Sequence, residues 1–377
     1  MRQRVTAIEY IRGVAMMGVV GIHTGAYSLS HPAVNIHLFA LLEIASRFSV
    51  PIFFFVSAFG LFWHHRPEAP VDWGAFYRRR ALTVAVPYVA WSLLYMGHAS
   101  WTSGETWMWE QPYIWEHLLF GLGSYQLYFL VILIWFYALM PMWRMAVPYL
   151  AARPLPRLGA LLVAQIAFNY WSCYVLAVAT DNYYVNLAID HRLSYWVLHY
   201  VFVFMLGGVC AARFADFAAL AARHHRALAA FFTASLALML AAYYWLLYTQ
   251  DYVPEQAVNT VQQLSPPGVV YTLAAGLFLF ALFDRPLPVW ATSPLSLLAR
   301  HSYAVYLVHP LVMEYLEKGL AAAGMAMTPP VVVAFYAGTV AGSLLFGAAL
   351  ARAAAAAPTV GTLLTGAYAK PKARPGA

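Results

Sequence analysis

Charge is what this sequence has least of. Asp, Glu, Lys and Arg together make up 10% of its 377 residues, against about 25% in an ordinary soluble domain. So few charges cannot coat a soluble globule of this length, whereas lipid-facing surface needs none. Cysteine is nearly absent as well, which excludes a disulfide framework. Cys173 and Cys210 fall in the outer half of one apolar run and near the inner end of the next. A depth difference on the order of 15 Å follows from helical rise, too far for a bridge. No internal repeat is evident, which disfavours a transporter built from inverted repeats. No long polar stretch marks a soluble domain. Adjacent histidines, His64-His65 and His224-His225, point about 100° apart on a helix, so no metal site is expected.

Apolar residues fill the space. They form 63% of the chain and concentrate in ten runs near 7–27, 37–62, 81–98, 122–143, 159–180, 193–212, 227–248, 267–284, 301–319 and 329–351. Each is close to the 17–25 residues that span a bilayer. The expected fold is therefore all-α, a polytopic membrane protein of about ten transmembrane helices. With the N-terminus inside, the inner segments 1–6, 63–80, 144–158, 213–226, 285–300 and 352–377 hold 18 of the 22 Lys and Arg residues. The outer loops hold only Arg192 and Lys318, and Arg12 and Arg47 lie within apolar runs. That asymmetry places both termini in the cytoplasm. The pI near 9.3 thus reports topology, and no nucleic-acid partner is expected. The first run carries Glu9 and Arg12, so it reads as a retained helix and not a signal peptide. The chain divides into a transmembrane domain over 1–352 and a tail over 353–377, Ala-rich and then Lys/Pro-rich, expected to be disordered.

Ionisable groups inside a span are costly and are functional candidates. The first run has Glu9, Arg12 and His23. Glu9 and Arg12 are three residues apart and share a face. Arg12 and His23 are eleven apart, within about 20° of three full helical turns and separated by about 16 Å along the axis. Gly13, Gly18, Gly21 and Gly25 surround them and allow close approach of another helix or a ligand. In the second run Glu43 and Arg47 form an i,i+4 pair, and Pro51 is expected to kink the helix. Arg78, Arg79 and Arg80 close the first inner loop, as topology anchors or as phosphate ligands. His301, His309 and Glu314 make a second polar group, with His309 directly before Pro310. The outer loop at 99–121 carries Trp101, Trp107, Trp109 and Trp115, a density that suits the lipid–water interface and also stacking on sugar rings.

Four of these segments, in this order, resemble motifs of the membrane acyltransferase 3 family. Ile8-Glu9-Tyr10-Ile11-Arg12-Gly13 followed by His23 is similar to its acidic residue, Arg-Gly pair and histidine at Arg-x10-His spacing. The segment from Arg47 to Gly60 is similar to its Pro-x-Phe-Phe-x-x-Ser-Gly element, and Phe76 to Pro87 to its arginine-containing helix start. Ala299 to His309 is similar to its Ser-Tyr-x-x-Tyr-Leu-x-His element. Glu9 replaces the commoner Asp, and Ala58 stands where Gly is usual. The resemblance implies an enzyme of the bacterial cytoplasmic membrane that moves an acyl group, most commonly acetyl, from cytoplasmic acyl-CoA (acetyl-CoA foremost) to a hydroxyl of an envelope glycan or lipid-linked sugar. Acyl-CoA enters as co-substrate, with no tightly bound cofactor expected, and membrane lipids are the other partner. Arg12, Arg78, Arg79 and Arg80 would hold the coenzyme A phosphates. The pantetheine arm is about as long as the Arg12–His23 separation, so the thioester would reach His23, whose ordinary pKa suits a general base. Glu9 would orient Arg12, with Arg47 and His309 supporting the site. General-base catalysis and an acyl-histidine intermediate both fit. The competing functional classes are a glycan transporter or flippase and a sensor or scaffold.

Overall fold

A computed structural model describes residues 5–29 and 34–366. Every regular element among them is helical. In chain order the α-helices are α1 (Thr6–Leu29), α2 (Ile36–Ile44), α3 (Ser49–His64), α4 (Trp73–Arg80), α5 (Val86–Ser103), α6 (Tyr113–Phe120), α7 (Tyr128–Ala138), α8 (Met140–Ala152) and α9 (Pro154–Tyr170). There follow α10 (Tyr183–Asp190), α11 (Arg192–Tyr195), α12 (Val201–Ala212), α13 (Phe214–Thr249), α14 (Pro254–Thr260), α15 (Pro266–Phe283), α16 (Val289–Ala322), α17 (Pro329–Ala356) and α18 (Pro358–Thr365). Five helical stretches among the described residues are long and apolar enough to cross a membrane, and six if the bent pair α7–α8 counts as one. α1, α5 and α16 have comparable length but more polar sequences.

Three of the expected apolar runs depart from a single regular helix. The run at 122–143 does not form one rod: α7 and α8 meet at Leu139 with a 75° bend. Pro141 in the first turn of α8 has no amide to continue the ladder of α7. The run at 193–212 contains only the 12-residue α12 as a regular α-helix of any length, preceded by α11 and a 3₁₀ turn at Val197–His199. Irregular backbone at this depth needs partners inside the protein. Gln165 on α9 provides them, its Oε1 accepting from Phe202 N at 2.9 Å and its Nε2 donating to Leu198 O at 2.6 Å. Arg192 adds a bond from Nη2 to Ser172 O at 2.7 Å. In the second run the helix breaks at residues 45–48, ahead of Pro51, which sits in the first turn of α3 where its missing N–H costs nothing. The break frees the Ala45 carbonyl, and the Tyr271 hydroxyl donates to it at 2.8 Å.

α1 lies at the centre and packs on α2, α3, α15, α16 and α17. Its small residues make this possible. A Cβ on Gly18 would stand 1.9 Å from Ser49 Oγ, so only glycine admits the broken second span this closely. Gly207 on α12 does the same against Phe55 O of α3, at 2.3 Å from an added Cβ. Cys173 and Cys210 are free thiols. The tail expectation is also corrected in part. Residues 353–356 complete α17, and α18 folds back onto α5, where the Trp91 indole donates to Leu364 O at 3.0 Å. Ala-rich sequence reads as featureless but is a strong helix former. Residues 367–377 lie outside the described residues.

Orientation is testable by accessibility. In a background lacking Cys173 and Cys210, a cysteine in place of Ser103 is expected to react with impermeant maleimide added outside intact cells. One in place of Ala222 is expected to react only after the inner face is opened. The reverse pattern would refute cytoplasmic termini.

Candidate active site

The site begins with a proline. Pro310 lies inside α16 and has no N–H to give to Tyr306 O four residues earlier. The neighbouring His309 takes over that acceptor. Its Nδ1 lies 2.8 Å from Tyr306 O and 3.2 Å from Val305 O. Both partners are carbonyls, so Nδ1 must carry the proton, and the neutral ring presents its lone pair at Nε2. That nitrogen is buried without a hydrogen-bond partner. Tyr95 helps fix the same stretch of α16, donating from its hydroxyl to Leu307 O at 2.7 Å.

His309 stacks on His23 of α1, with ring centroids 5.3 Å apart and planes 27° from parallel. Tyr125, from the turn before α7, closes the group at 4.4 Å from the His23 ring. The two histidines are not equivalent. His309 is wholly buried, whereas His23 is only partly so. His23 is therefore the more accessible imidazole of the pair, and His309 is the one behind it.

Toward the end of α1 that carries Arg12, a cleft is lined by Glu9, Arg12, Gly60, Trp63, His64 and Arg300. α1 is unbroken from Thr6 to Leu29, so His23 continues the Arg12 face about 16 Å farther along. Three cationic or protonatable side chains, Arg12, His64 and Arg300, and the carboxylate of Glu9 thus converge on one cleft. Beyond that cleft, Arg79, Arg80 and Arg144 surround His65. Burial and then these charges, Arg80 foremost, depress the His65 pKa below its ordinary value. Behind burial, these arginines contribute a positive field at this face of the protein.

On the other side of His23 a second cleft opens. It is lined by Ala26 and Leu29 of α1 together with Glu43, Arg47, Glu255 and Asn259. Ala26 is one turn beyond His23. Arg47 Nη2 is 2.8 Å from Glu43 Oε2, and Arg47 Nη1 donates to Gln263 Oε1 at 3.3 Å. The arginine that needed a partner at depth has two.

Of the residues singled out from sequence, His23 and His309 meet directly, and Glu9 and Arg12 line one cleft. Arg47 pairs with Glu43 in the other. Arg78, Arg79 and Arg80, on α4, stand apart from the cleft lined by Glu9 and Arg12. Arg78 and Arg79 are exposed, and the Arg80 guanidinium lies over the rings of Tyr137 and Phe76 at 4.8 and 5.3 Å. Glu314 does not join His309 but pairs with Lys318 at 2.6 Å and approaches His98 at 3.7 Å. His301 packs near Gly347 of α17. Sequence reasoning did not single out Tyr125, His64, Arg300 or Gln263. Arg300 stood within a recognised motif, nine residues before His309, and was the one with a readable signal.

No curated protein and no solved structure matches this chain. A family model does, that of an acyltransferase domain, over residues 5–348. That span contains α1 through nearly all of α17, with both histidines and both clefts. An all-helical, apolar architecture, a histidine pair at its centre and a match over almost the whole length agree with one another, and the chain belongs to the acyltransferase 3 family.

Proposed function

We propose that the protein transfers an acyl group, acetyl in the first instance, from cytoplasmic acyl-CoA to a hydroxyl of an envelope glycan or lipid-linked sugar, across ten spans with both termini inside a bacterial cytoplasmic membrane. The observation that carries this reading is the position of His23: partly exposed, backed by His309, and lying between a basic cleft at one end of α1 and a second cleft at the other. Arg12, Arg300 and His64 hold the coenzyme A phosphates. Arg78, Arg79 and Arg80 raise the local concentration of the polyanion by their field. The pantetheine arm runs along the Arg12–His23 face. The acceptor enters from the outer cleft, where Glu255 and Asn259 offer hydrogen-bond partners for hydroxyl groups.

In the transfer itself the acceptor oxygen attacks the thioester carbonyl and its proton passes to His23. The C–O bond forms, the C–S bond breaks, and the thiolate leaving group takes the proton from His23. The His309 ring stacked on His23 backs the imidazolium as it forms, and Tyr125 holds the His23 ring in place.

The reading is tested with purified protein in liposomes, by acyl-CoA-dependent acylation of envelope glycan followed by mass spectrometry. Arg300→Gln is expected to raise the apparent KM for acyl-CoA about tenfold, since a charge-assisted bond is worth about 1.5–3 kcal/mol. Arg79→Gln should raise it less, in keeping with a field effect. Glycan that crosses the membrane unmodified, with no requirement for acyl-CoA, would replace the transferase with a transporter. An unchanged KM in Arg300→Gln would remove the inner cleft from the donor site.

A further inference from the structure

A third cleft lies away from both histidines, between α9, α12, α13 and α15. Leu162, Phe202, Leu206 and Leu277 form its walls, and Arg213 and Asp216 sit at one end. It has a cavity volume of about 430 Å³ and is almost wholly apolar apart from that end. From Phe202 to Arg213 it follows α12 for eleven residues, about 16 Å. That is about half of a 30 Å hydrocarbon core, the depth of one leaflet. Leu155 at its rim is 81% exposed, so the cleft opens sideways to the surroundings of the helices and not into the protein.

The charged end is strongly one-sided. The two chain segments that frame it, 150–158 and 213–226, contain Arg153, Arg157, Arg213, Arg223 and Arg226 against the single carboxylate of Asp216. Arg213 itself is held in place, with Nε 2.6 Å from Asp216 Oδ2 and Nη1 donating to Ala151 O at 3.0 Å. Its side chain is still about half exposed. An apolar channel one leaflet deep, ending in a fixed guanidinium within a field of arginines, matches one chemistry: an acyl chain joined to an anionic phosphate.

We infer that this cleft is a binding site for an anionic phospholipid of the inner leaflet, with an acyl chain between α9 and α12 and the headgroup phosphate at Arg213. The inference uses the orientation set by the charge distribution and is independent of the acyl-transfer reading.

Gly159 makes the site testable, because it lines the cleft and an added Cβ there meets nothing within 4 Å. A large side chain at 159 therefore starts from open space at the cleft wall, with no clash at its Cβ. Native mass spectrometry of the full-length protein, titrated with phosphatidylglycerol or phosphatidylcholine in detergent, reads occupancy directly. Wild type is expected to bind one phosphatidylglycerol at least fivefold more tightly than phosphatidylcholine. Gly159→Phe should weaken that binding at least tenfold, and Leu277→Trp, which narrows the opposite wall, should act in the same direction. Arg213→Gln should keep lipid binding but abolish the preference for phosphatidylglycerol. Equal binding of the two lipids by wild type, or undiminished phosphatidylglycerol binding in both cleft-filling variants, would overturn the inference and leave only annular lipid. Lipid occupancy is read without turnover, so its outcome is separate from that of the glycan assay.

Discussion

Replacing His23 with Gln is expected to lower acyl transfer by about 10²–10⁴-fold, the usual contribution of a general base, while expression, detergent stability and acyl-CoA affinity stay near wild type. The argument is geometric. His23 is the partly exposed member of the His23–His309 stack, and its packing against Tyr125 and His309 is through ring faces. A glutamine preserves bulk and polarity at that place, but its amide cannot accept the acceptor's proton. A histidine with a purely structural role would tolerate the change. The measurement is initial rate of glycan acylation at saturating acyl-CoA, together with a binding isotherm for a non-transferable coenzyme A thioether. A rate within a few-fold of wild type would dismiss His23 as the base.

His309→Gln is the second large effect, expected at about 10–10³-fold in kcat with little change in KM. His309 is wholly buried and does not reach substrate in this arrangement. It acts as the ring behind His23, held in orientation by the carbonyls that the Pro310 gap leaves open. Glutamine would still donate to Tyr306 O but would place an amide where the ring stood. Because His23 and His309 act as one unit, the double variant His23→Gln/His309→Gln should be scarcely slower than His23→Gln alone. Residues in direct contact within one mechanism lose their effects non-additively. Full multiplicative loss in the double variant would mean that His309 contributes independently of His23, by holding the fold or by another route.

Much of this site was readable because it lies on one helix. The Arg12–His23 face follows from helical period alone, and an uninterrupted α1 realises it. His309 was visible as a titratable group beside a proline in an apolar run. What sequence could not convey was convergence. Tyr125, His64, Arg300 and Gln263 arrive from four separate segments, and nothing local in any of them points to the others. The family motif carrying Arg300 placed it at the start of a membrane run without indicating that it faces Arg12. The errors in the fold have a similar origin. An apolar run records that a stretch is buried in lipid or protein, not that it is straight. The run at 122–143 therefore conceals the 75° bend at Leu139, although Pro141 was in plain view. The run at 193–212 conceals a short helix entered through irregular backbone, because its partners Gln165 and Arg192 are polar residues elsewhere. The arginine triplet on α4 was grouped with Arg12 by its motif and its place near the same membrane face, and neither fixes position around a bundle.

The central placement of α1 sets an order of events during synthesis. α1 is made early, yet much of its surface is covered by α15, α16 and α17, and the Met17 carbonyl receives its bond from the Tyr336 hydroxyl at 3.1 Å. His23 and His309 are 286 positions apart in the chain. Until α16 has been inserted, α1 must wait in the bilayer with Glu9, Arg12 and His23 lacking their final surroundings. Contacts this distant in sequence form late and slowly. On the proposed acyl-transfer reading, a nascent chain is expected to hold no competent centre before its ninth apolar run is in place, so that reactivity switches on only with an almost complete fold.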